Sequence, residues 1–145
     1  MEVPRPRGLP ADAGGGIATL ILAVGCRGEI PTAARAAIAG TWHLESVNGR
    51  ALPYVLGGEG ENRVELVSDR VELSADGRFT EVSRIRYLEP GFVSTNRVTD
   101  DGTYSVNGDT LTLRYGSDRR TDSGAVRGEQ LTLAGDGYSL VYRRE

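Results

Sequence analysis

From Gly40 onward the apolar residues fall on every second position, and that two-residue period limits the folds open to the chain more than any other feature. Leu111, Leu113 and Tyr115 share one face of an extended run, with Thr110, Thr112 and Arg114 on the other. Tyr138, Leu140 and Tyr142 oppose Ser139, Val141 and Arg143 in the same way. No helical periodicity competes with this pattern. Turn dipeptides punctuate the runs: Asp76-Gly77, Asp101-Gly102, Asn107-Gly108 and Asp136-Gly137 pair residues that tolerate positive φ. Val106 to Leu113 is echoed by Val126 to Leu133 as V-x-G-[DE]-x-L-T-L at an offset of twenty, which predicts two successive hairpins. Strands are expected near 41–47, 63–67, 70–74, 78–88, 92–98, 102–106, 110–115, 122–127, 130–134 and 137–143. A meander of about eight to ten antiparallel strands leaves two raw edges unless it closes on itself, so the expected fold is all-β, an up-and-down barrel.

Composition removes several functions. The chain has 145 residues, 39% hydrophobic and 26% charged, which is one folded domain of ordinary size. Net charge is −3 and every basic residue is Arg, with no basic block of the size that phosphate neutralisation demands, so nucleic acid is not an expected partner. One Cys, one His and one Met leave no disulfide framework and no zinc site, and no metal or other cofactor is expected.

The N-terminal region has a different grammar. Arg5 and Arg7 precede the apolar run Ile17 to Val24, which is too short to span a bilayer and is followed by Gly25-Cys26. A basic start, an apolar middle and a small-residue processing site form a secretory signal, expected as a helix over 1–25. Ala23-Val24-Gly25-Cys26 resembles the lipobox of bacterial lipoproteins, in which the Cys is acylated and becomes the first residue of the mature chain. That resemblance implies lipidation at Cys26, anchoring to a membrane surface on the extracytoplasmic side of the envelope (periplasm or cell surface), and, with Arg27 next, outer-membrane sorting in a Gram-negative cell. The other reading is an apolar N-terminal segment with an ordinary buried Cys26. Residues 26–39, with Pro31 and an Ala-rich stretch, are read as a tether containing one helical turn, and 40–145 as the barrel domain.

The first strand opens Gly40-Thr41-Trp42. Gly-x-Trp at the head of a meander resembles the opening motif of lipocalins and of bacterial lipocalin-like domains, and the hairpins of the form G-x-Y-x-V-x-G-x-x-L-x-L from Gly102 are similar to those of lipocalin-like lipoproteins. The resemblance implies that Gly40 allows close backbone approach, that Trp42 plugs the barrel floor, and that an Arg near the last strand stacks over the indole. By alternation Arg143 points away from Tyr142's face, so Arg144 is expected in that role.

Chemistry is sparse. His43 alternates away from Trp42 and is expected at the surface, Ser117 lacks a nucleophile-elbow context, and the Asp100-Asp101 and Asp118 to Asp122 clusters lack EF-hand spacing and read as turn formers. Gly57-Gly58-Glu59-Gly60 misses phosphate-loop spacing and reads as a mobile connection at a barrel mouth, and Arg119-Arg120 as an exposed hairpin tip. No catalytic residue is assigned, and no enzyme is expected. Tyr87, Phe92, Tyr104 and Tyr115 are candidates to line a ligand cavity. Arg84 and Arg86 join them if their face of the strand is interior, where they would select a carboxylate or phosphate head group. The competing assignment puts Phe79, Ile85 and Tyr87 inside and both Arg in water, because burying unpaired charge is costly. Two functions remain open: a barrel that binds a small hydrophobic or amphipathic ligand, and a ligand-free packed barrel acting as a structural or interaction module. The size of the interior cavity separates them.

Overall fold

The computed structural model describes residues 29–145, so the expected signal helix, its processing site and Cys26 lie outside the described residues. One helix, α1 (Glu29–Ile38), precedes ten strands: β1 (Gly40–Val47), β2 (Arg50–Ala51), β3 (Tyr54–Glu59), β4 (Asn62–Leu73), β5 (Arg78–Glu89), β6 (Phe92–Asn107), β7 (Thr110–Tyr115), β8 (Thr121–Arg127), β9 (Gln130–Gly135) and β10 (Tyr138–Arg144). All neighbours pair antiparallel in the order β2-β1-β10-β9-β8-β7-β6-β5-β4-β3. A further pairing of β1 with β4, from Gly40↔Leu73 to His43↔Arg70, closes the ring. Eight strands, β1 and β4 to β10, thus form an up-and-down barrel, while β2 and β3 lie outside it.

The hairpins follow from the turn chemistry. Asn48-Gly49 and Asp136-Gly137 both take positive φ at both residues (50° and 75°, 48° and 81°), the mirror-image turn whose twist matches the flanking strands. The echoed segments become β6–β7 and β8–β9, each reversing at a glycine with φ near 60°.

Three expectations are corrected. Candidates 63–67 and 70–74 are one strand, β4, carrying a bulge: Leu66 pairs with Ile85 and Ser68 with Arg84, which leaves Val67 unopposed. The bulge changes which parity faces inward, so that Leu66 before it and Asp69, Val71 and Leu73 after it share the interior. Asp101-Gly102 is not a turn. It lies within the sixteen-residue β6, where Gly102 pairs with both Phe79 and Tyr115. Gly57, Gly58 and Glu59 are not a free connection but the end of β3, paired with Asn62 to Val64.

The core is Trp42, Leu44, Val47, Val71, Leu73, Phe79, Tyr104, Leu111, Leu113, Tyr115, Leu131, Leu133 and Tyr142, all of them inward-facing. Past the barrel rim, β3, the start of β4, the end of β5 and the start of β6 continue as a projecting sheet. Phe92 and Val93 at its tip are 58% and 61% exposed. Glu65, on the outer side of that sheet, is only 4% exposed because Arg63 and Arg86 cover it.

Candidate functional site

The two ends of the barrel differ in chemistry. At the floor, the Ala-rich segment expected as a tether forms a ten-residue helix, because Ala is the best helix former and Pro31 falls in the first turn where its missing N–H costs nothing. A helix ends with orphan carbonyls. Two of them are taken here by barrel side chains: Trp42 Nε1 donates to the Ile38 carbonyl at 3.1 Å, and Arg144 Nη2 donates to the Ala37 carbonyl at 2.9 Å. The Arg144 guanidinium carbon lies 4.6 Å from the centre of the Trp42 ring, within cation–π range. Tyr104, a candidate cavity residue, is also part of this sealed end; it is 3% exposed and donates its hydroxyl proton to the Ser74 carbonyl.

At the other end, polar side chains enter the barrel. The β4 bulge turns Asp69 inward, where its Oδ1 accepts from Ser83 Oγ at 2.9 Å and its Oδ2 from the Tyr142 hydroxyl at 2.6 Å. Glu81 shares the inward parity of Phe79 on β5. Asp122, opposite Leu113 across the β7–β8 pair, is 5% exposed and accepts the Tyr115 hydroxyl on Oδ2 at 3.2 Å. Arg120, expected at an exposed tip, instead folds in over Tyr115 with its guanidinium carbon 3.8 Å from the ring centre. It reaches Glu81, Asp122 and Asp136 at 3.7, 3.7 and 3.9 Å. Burial pushes the Glu81 carboxyl up to about 8, and the charge of Asp69 adds to the shift. Burial also raises Asp122, against the pull of Arg120, and lifts the Tyr142 hydroxyl well above its ordinary range.

Between these groups lies a cavity of about 150 Å³. Val47, Leu56, Leu66, Tyr138 and Leu140 form its apolar arc; Asp69, Glu81, Ser83, Arg120 and Asp122 form the polar arc; Gly135 and Asp136 complete the lining. The volume equals that of about five liquid waters, or one benzene-sized molecule. The rest of the barrel is filled by its own side chains.

None of the six residues expected to line a ligand lines this cavity. Tyr115 supports the polar arc from beneath, Tyr104 belongs to the floor, and Tyr87 and Phe92 stand on the projecting sheet, exposed. Arg84 and Arg86 face outward. Arg86 pairs with Glu65, donating from Nε to Oε2 at 2.9 Å, and together with Arg63 holds that carboxyl below its usual range. The interior face of β5 is the one with Phe79 and Ile85, as the competing assignment has it. His43 is exposed, 3.3 Å from a carboxylate oxygen of Glu145. Asp69 and Glu81 were not singled out in the sequence, and Asp122, expected as a turn former, is instead a buried residue of β8. Parity alone places Glu81 beside Phe79, but Asp69 needs the bulge and Asp122 needs the register of a loop that sequence does not fix.

A closed antiparallel meander of eight strands, floored by an indole under a stacked arginine and hollow at the far end, is the calyx architecture. The chain belongs to the lipocalin-like domain family, whose sequence model matches residues 38–137. No curated protein matches it. Among solved structures it is similar to an uncharacterized protein from Bacteroides eggerthii, at 13% identity and a TM-score of 0.44 over 74% of this chain and 98% of that one.

Proposed function

We propose that the chain is a lipid-anchored, non-catalytic binding protein of the bacterial envelope that holds one small amphipathic molecule at the open end of its barrel. The observation that carries the binding half is the 150 Å³ cavity, apolar on one arc and hydrogen-bonding on the other, at the end opposite the sealed floor. Family membership supports a binding role in general. The anchoring half rests on Ala23-Val24-Gly25-Cys26. The volume is too small for a fatty acyl chain laid along the barrel axis, so a compact ligand fits and a long lipid does not.

Native mass spectrometry of the chain released in detergent from bacterial envelopes tests the binding half. A reproducible mass excess that disappears after organic extraction is the expected result. A bare mass in both samples favours the second reading, a ligand-free module, which the small cavity and the packed lower barrel also support. For the anchor, Cys26→Ala is expected to move the protein from the membrane fraction to the soluble fraction; a variant that still pellets with membranes ends the lipoprotein reading.

A further inference from the structure

We propose that the polar arc of the mouth cavity is a site for an organic monocation, a primary ammonium on a short apolar body. The inference rests on the binding reading above and names the ligand's chemistry. The cavity wall holds four acidic side chains, Asp69, Glu81, Asp122 and Asp136, against one guanidinium. Both Asp69 oxygens already accept hydrogen bonds, from Ser83 and Tyr142. Asp122 is different: Oδ2 is engaged by Tyr115, but Oδ1 is fully enclosed and has no hydrogen-bond partner among the described residues. A buried carboxylate oxygen without a donor is a costly arrangement, and a donor delivered by a ligand removes that cost.

Arg120 does not fill the role. Its nearest approach to Asp122 is 3.7 Å, beyond hydrogen-bond range, and its Nε is likewise without a hydrogen-bond partner. The guanidinium therefore neutralises the mouth without satisfying it, and a better-placed cation can displace it. Gly135 shapes the space: a Cβ there would come within 1.9 Å of Asp122 Oδ1, so only a glycine leaves that oxygen its position. Acidic side chains outnumber the single guanidinium around the cavity, which suits a cationic ligand. The carboxylates are not gathered as a metal-ligating group, and Val47, Leu66 and Leu140 offer an apolar seat for a carbon skeleton. An ammonium is a compact donor of three hydrogen bonds, which matches one free carboxylate oxygen better than a planar guanidinium does.

The test is a titration of the full-length chain, in non-ionic detergent, with benzylamine, benzyl alcohol and benzoate, followed by amide NMR. Benzylamine alone is expected to shift the Ser83 and Gly135 amides saturably. Asp122→Asn should weaken it by roughly tenfold or more. Arg120→Gln keeps the length of the side chain's stem, removes the resident cation and should tighten benzylamine by about threefold or more. If Asp122→Asn fails to fold, the Arg120→Gln result decides alone. Benzyl alcohol or benzoate binding as tightly as benzylamine overturns the cation assignment while leaving a binding protein. Unchanged or weaker benzylamine affinity in Arg120→Gln overturns it too. No saturable shift with any probe overturns it, and only when joined to a bare native mass does that result also remove the binding reading.

Discussion

Trp42 does two jobs with one side chain. Its ring fills the barrel floor beneath the Arg144 guanidinium, and its N–H holds the last turn of α1. Trp42→Ala should cost about 3–5 kcal/mol in urea unfolding, from the lost burial and the cavity left behind. Trp42→Phe keeps most of the bulk but not the donor, and should cost about 1–2 kcal/mol. A Trp42→Phe variant that unfolds at the wild-type urea concentration would show that the helix contact contributes nothing. Glu81 makes the opposite kind of prediction. Its carboxyl is raised in the fold, so the folded protein holds this proton more tightly than the unfolded chain does. The associated stability is fully present below the unfolded pKa, near 4.5, and declines as pH rises toward about 8. Thermal melts at pH 5 and pH 9 should therefore differ more for the wild type than for Glu81→Gln, and equal differences would contradict the shift.

At the scale of elements, what the sequence disclosed was periodicity, and what it hid was continuity. Strands with clean alternation and two-residue turns, such as β7, β9 and β10, lie within a residue or two of where the pattern places them. Two of the three long strands, β4 and β6, each look like two in the sequence, since the Val67 bulge in β4 and Gly102 in β6 interrupt the period in the way a turn does, while β5 reads as one. Gly102 is needed for space rather than for turning. A Cβ there would sit 2.0 Å from the Arg114 carbonyl oxygen and 2.8 Å from the Phe79 ring. Gly102→Ala should thus cost about 2 kcal/mol or more by overpacking between β5 and β7, whereas a true turn glycine would tolerate Ala only according to its φ. A chemical-denaturation midpoint matching the wild type would refute the close approach. The floor was legible because alternation alone separates Arg144 from Arg143. The mouth was not, because its acidic residues reach one chamber through a bulge, a central strand and a loop whose mutual register only the fold sets. Asp118, expected as a turn former, is engaged locally and accepts from the Arg120 amide at 2.9 Å, whereas Ser117 donates across to Asp100 at 2.8 Å.

For the molecule as a whole, the barrel divides into a closed ring and a sheet that overhangs it. The ring buries its inner face and has no free edge, whereas the overhang ends in exposed Phe92 and Val93 and pairs β6 on one side only. Amides of β5 near Tyr87 and of β6 near Val93 should exchange with deuterium well before those of β7, β9 and β10; uniform protection along β5 and β6 would contradict that division. The seam of the ring is β1, which pairs with β4 on one edge and β10 on the other. Nothing within the first half of the domain can complete the closure, because the partner that seals it is the strand synthesised last. A chain growing from a ribosome must therefore keep Trp42 waiting, its future neighbour Arg144 not yet made, and the ring can close only once β10 has emerged.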